Sequence, residues 1–111
     1  MVKIAEMNEE QARTILEERA NIALEMDNLD KRYPDVFCGL YLDLDHVIHV
    51  WKAATVKQIA KVLGKKVVIT TYSDDEKEKY GYLGEVYFYY KYGGQRWRVF
   101  AVYSDESEVV E

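Results

Sequence analysis

The chain has one cysteine, one proline and no apolar run approaching the ~18 residues of a membrane span. A lone Cys38 excludes an internal disulfide, so nothing speaks for an oxidising compartment. The start, MVKIAEMNEEQ, has no apolar core of the kind a secretory leader needs, so a soluble protein of the bacterial cytoplasm is expected. A strong basic excess is missing too: fifteen Lys and Arg face twenty Asp and Glu, a net charge of −5. A generic DNA binder carries the opposite balance.

What remains is a globular composition, 49% hydrophobic and 32% charged, in 111 residues. That length suits one domain, residues 1–111, with a core of its own. Its charge is unevenly spread. Residues 1–36 hold five basic and nine acidic groups, residues 37–103 ten and seven, and residues 104–111 four acidic ones. The last segment is expected to be flexible.

Hydrophobic periodicity predicts an α+β fold. Asn8 and Gln11 have capping-box spacing, with Met7 and Ala12 at staple positions, and open a helix over about 9–32. Its apolar stripe runs Ala12, Ile15, Leu16, Ala20, Ile22, Ala23, Met26, Leu29, until Pro34 ends it. The opposite face includes Glu10, Glu17 and Glu25, a solvated surface or an acidic docking face. Residues 37–51 alternate without a parity switch, which fits one long bent strand or a hairpin with a three-residue loop near 44–46. Thr55 and Gln58 form a second capping box for a helix over 56–63, with Gly64 as its stop. A strand follows at 65–72, then a solvated loop, SDDEKEK, at 73–79.

The strongest signal is EVYFYYKYGGQRWRVFAVY. Gly93-Gly94 suits a type I′ turn, which needs positive φ at both central positions. The implied register puts Val86, Phe88, Tyr90, Trp97, Val99 and Ala101 on one face, to receive two helices. The other face carries Tyr87, Tyr89, Lys91, Arg96, Arg98 and Phe100, basic and aromatic in an acidic protein. Such a face can bind a partner protein, or stack bases and meet phosphates. Ordinary cross-strand packing explains the same residues.

Catalytic patterns are thin. Asp43, Asp45 and His49 project to one side of an extended strand and are candidate metal ligands for a hydrolase, but a polar, solvent-facing strand edge is the reading preferred. Cys38 beside Gly39 reads as a small core residue. Gly93-Gly94 lacks the spacing and the Lys-Ser/Thr of a phosphate loop. The expected protein is therefore not an enzyme and needs no cofactor.

From about residue 45 onward the order of features resembles that of small α+β proteins of tailed bacteriophages. HVIHVW, TVKQIAKVLG and GGQRWRVFAVY carry the resemblance; the first helix lies outside it. It implies a phage or mobile-element protein of anti-CRISPR-like character, which binds and inhibits a host protein such as a defence nuclease. No catalytic residue comes with it. A nucleic-acid-binding module on the Tyr/Arg face is the alternative, and a metal-dependent hydrolase the third. Oligomeric state stays open, a homodimer included.

Overall fold

A computed structural model describes residues 3–36 and 46–110. Helix α1 spans Glu9–Arg32, strand β1 Val47–His49, helix α2 Ala53–Val62 and strand β2 Val68–Thr71. Helix α3, Asp74–Tyr80, precedes the strands β3, Gly84–Tyr92, and β4, Gln95–Tyr103. Short 3₁₀ turns sit at Ile4–Glu6 and Glu106–Glu108. The strands form one sheet in the order β1-β4-β3-β2, antiparallel except where β1 runs parallel to β4. Thus β1 and β2 are parallel strands at opposite edges, joined through α2, with the β3–β4 hairpin inserted between them. The fold class is α+β, with helices packed against a mostly antiparallel sheet. No helix among the described residues is long and apolar enough to cross a membrane.

The start of α1 is built as its sequence requires. Asn8 accepts from the Gln11 backbone at 2.8 Å, and Gln11 returns the bond to the Asn8 amide at 3.0 Å. Met7 and Ala12 are buried at the staple positions. Ala12, Leu16 and Ala20 enter the core, while Ile22, Met26 and Leu29 stay exposed. The apolar stripe therefore packs as far as Ala23 and is exposed beyond it.

Glu17 departs from the expected solvated face. Its Oε2 accepts from the Tyr90 hydroxyl at 2.6 Å, and one turn later Asn21 accepts from Tyr92 at 3.0 Å. Two tyrosines of the hairpin thus reach across to dock α1. Burial and then the Glu17 contact push the Tyr90 phenol up, so it remains a donor.

Three further boundaries differ from the expected ones, the first being the strand expected over 65–72, which covers only Val68–Thr71. Helix α2 starts at Ala53, with Lys52 as an N-cap lacking a side-chain bond, instead of at a Thr55 capping box. The earlier start buries Ala53 on the same face as Val56 and Ala60. Gly64 does supply the left-handed stop, at φ 69°. Residues 74–80, expected as loop, form α3: Ser73 and Glu76 make a reciprocal capping box, and Gly81 ends the helix at φ 77°. The segment has no apolar stripe to announce it, but acids in its first turn and lysines in its last favour the helix dipole. The choice between a bent strand and a hairpin over 37–51 rests on residues 37–45, outside those described; within them only Val47–His49 is strand.

Residues 104–110, expected to fray, carry the second 3₁₀ turn, with Asp105 capping Ser107 and Val109 packed against the core.

Candidate functional site

Every pairing expected for the terminal hairpin occurs. Gly93 and Gly94 take φ 61° and 75°, so Tyr90 faces Trp97, Tyr89 faces Arg98 and Lys91 faces Arg96. Both central glycines are in the left-handed region that a type I′ turn demands. Phe88, Tyr90, Trp97, Val99 and Ala101 are buried beneath α1 and α2. Alternation then sends Tyr87, Tyr89, Lys91, Arg96, Arg98 and Phe100 to the opposite face.

That face is ordered by rows across the sheet. One row runs His49, Phe100, Tyr87, Val68, and the next runs Val47, Arg98, Tyr89. His49 stacks on Phe100 with ring centroids 4.6 Å apart and planes 8° from parallel. The guanidinium of Arg98 lies 4.4 Å from the Tyr87 ring centroid and 5.1 Å from that of Phe100. Arg96 repeats the arrangement one rung away, 4.1 Å from the centre of Tyr89. Tyr87 and Tyr89 meet edge to face at 5.7 Å. Arginine and aromatic planes thus alternate along the hairpin, each cation–π contact contributing about 0.5–1 kcal/mol at such partly exposed sites.

A carboxylate missed by the sequence reading fixes one end of this ladder. Leaning along β4 across Tyr87 and Phe100, Arg98 reaches Glu85, with which it forms a charge-assisted hydrogen bond. The Tyr72 hydroxyl donates to the other oxygen of Glu85 at 2.8 Å. Burial, followed by this contact, pushes the Tyr72 phenol well above its usual range. Tyr80 of α3 packs against Tyr72 at 5.5 Å and reaches the rim of the face. The signal was available: the parity of Tyr87 and Tyr89 also includes Glu85.

The face therefore divides in two. Arg98, with its side chain only 27% exposed, is neutralised by Glu85. Lys91 and Arg96 are exposed and have no carboxylate partner among the described residues, and they flank Tyr89, itself 39% exposed. Trp51, two residues past β1, is 88% exposed.

The other candidates are not assembled into a site. Glu10 and Glu25 are exposed on α1, whereas Glu17 belongs to the α1–hairpin contact. Asp43 and Asp45 lie outside the described residues, as does Cys38, so the expected three-ligand set has only His49 within them. His46 points the other way and meets Trp97 edge-on at 4.8 Å. Among the described residues no group of three His, Cys, Asp or Glu is placed to hold a metal.

No protein-family model, curated protein or solved structure matches this chain.

Proposed function

We propose that the chain is a non-catalytic interaction protein that docks a partner protein on the Tyr/Arg face of its sheet. The observation that supports this most is the exposed end of the ladder, where Arg96 lies over the Tyr89 ring and Lys91 is its cross-strand partner, neither cation meeting a carboxylate among the described residues. Arginine, tyrosine and tryptophan dominate interface hot spots, and here stacking has already immobilised the arginine. Two unpaired cations call for a partner that presents carboxylates at this spot. The resemblance to tailed-phage proteins lends the setting: a host protein, a defence nuclease among the candidates, which docking inhibits.

Nucleic-acid binding on the same face is less well supported. Glu85 neutralises the central arginine, which leaves it without a net charge to offer a phosphate. At ~150 mM salt, where screening reaches about 8 Å, single-stranded oligonucleotides are expected to show no affinity that Arg96→Glu removes. Fluorescence anisotropy of wild type and variant checks this. Submicromolar, salt-sensitive binding that the substitution abolishes would transfer the face to nucleic acid.

A further inference from the structure

A second surface lies on the helix side of the sheet. Between residues 46 and 73 the chain has five lysines and no Asp or Glu, in a protein with twenty acids overall. The fold gathers four of them, Lys57, Lys61, Lys65 and Lys66, around a half-open depression of about 790 Å³. Lys57 and Lys61 stand one turn apart on α2. Gly64, at φ 69°, reverses the chain so that Lys65 and Lys66 border the same hollow. The far wall comes from Ser107, Glu108 and Val110, held in place by Val109 packed on the core.

The ordinary explanation for lysines at a helix C-terminus is that they complement its dipole. Here it covers little. The α2 end is already closed by backbone bonds from Gly64 to Lys61 and from Lys65 to Ala60. Lys57 lies too far up the helix to serve that end, and its i,i+4 placement with Lys61 is locally unfavourable. Of the lining residues only Glu108 is acidic, against four lysines, and it forms no ion pair with them: its Oε2 accepts from the Ser104 and Asp105 amides, each at 2.8 Å. None of the four ammonium groups has an ion-pair partner among the described residues.

From this we infer a second binding site, for a small molecule bearing clustered phosphates. Four point charges around one hollow match several phosphate groups better than one. The volume falls in the range of about 300–1,000 Å³ typical of small-molecule sites. The alanine and valine side chains of the lining leave room for an apolar part of the ligand. Because the hollow is on the helix side, it is independent of the Arg96 face.

Titrating the full chain with inorganic tripolyphosphate, by calorimetry and thermal shift, tests this. Saturable binding is expected, with a melting temperature that climbs with ligand concentration. Joint Lys61→Glu and Lys65→Glu substitution should weaken it about tenfold or more, while Arg96→Glu leaves it unchanged. Circular dichroism verifies that the variant folds; if it does not, the milder Lys57→Gln must still weaken binding. Absence of saturable binding, or an affinity indifferent to the lysines, would overturn the site. So would an oligonucleotide that engages these lysines more tightly than tripolyphosphate, which would make the surface a nucleic-acid track.

Discussion

Replacing Trp97 with alanine is expected to cost about 3–5 kcal/mol, the range for deleting a large aromatic from a packed core. Trp97 is 1% exposed and is among the largest fully buried side chains of the described residues. It stands on the hairpin opposite Tyr90, and its indole N–H donates to the Tyr92 carbonyl at 3.1 Å, tying the ring to the strand end beside the turn. His46 packs edge-on against it, so the same ring also links the hairpin to the start of β1. The loss is large against the roughly 5–15 kcal/mol available to a domain of ordinary stability. Urea denaturation of Trp97→Ala and Trp97→Phe checks the assignment. The phenylalanine variant should recover most of the loss, because it restores volume but not the indole bond. Equal losses in both would shift the weight from packing to the hydrogen bond.

Gly84→Ala is expected to destabilise the sheet at the upper end of the ~1–3 kcal/mol typical of overpacking, or beyond it. A Cβ at residue 84 would stand 1.9 Å from the Thr70 carbonyl oxygen and 2.8 Å from the Tyr103 hydroxyl. Tyr103 is the β4 partner of Gly84; its ring crosses the glycine to place its hydroxyl 3.2 Å from the Thr70 oxygen. The missing side chain at 84 is thus what allows β4 to reach β2 across β3. Trimming Tyr103 cannot rescue the alanine, because the closer clash is with backbone. Hydrogen exchange should show β2 amides losing protection before those of the β3–β4 hairpin. A Gly84→Ala protein within ~0.5 kcal/mol of wild type would mean that the strands are spaced differently here.

How far the sequence disclosed this structure follows from how local each signal is. The hairpin was legible down to individual pairs, because two adjacent glycines set the register and alternation does the rest. Asn8 and Gln11 announced α1 for the same reason: a capping box needs only four residues. Helix α3 has such a box at Ser73–Glu76, yet lacks the apolar stripe on which helix recognition depends, so its sequence looks like a solvated loop. Thr55 and Gln58 show the reverse failure: the spacing is right, but burial of Ala53 starts the helix earlier. The candidate site was legible as a face and not as a network. That Arg98 would pass Tyr87 to reach Glu85, or that Glu17 would bind Tyr90, depends on how side chains lean in three dimensions. The lysine hollow was invisible because its walls come from residues about fifty positions apart.

Photo-crosslinking from the sheet face tests the proposed function most directly. Benzoylphenylalanine replacing Lys91, and in a second protein replacing Glu25 on α1, would be irradiated in bacterial lysate and the adducts identified by mass spectrometry. The account predicts a discrete protein adduct from position 91, none from position 25, and loss of the adduct when Tyr89→Ala is added. As a hot spot, Tyr89 should carry ~2 kcal/mol or more of the binding energy. Adducts confined to nucleic acid, or a protein adduct from position 25 alone, would contradict it.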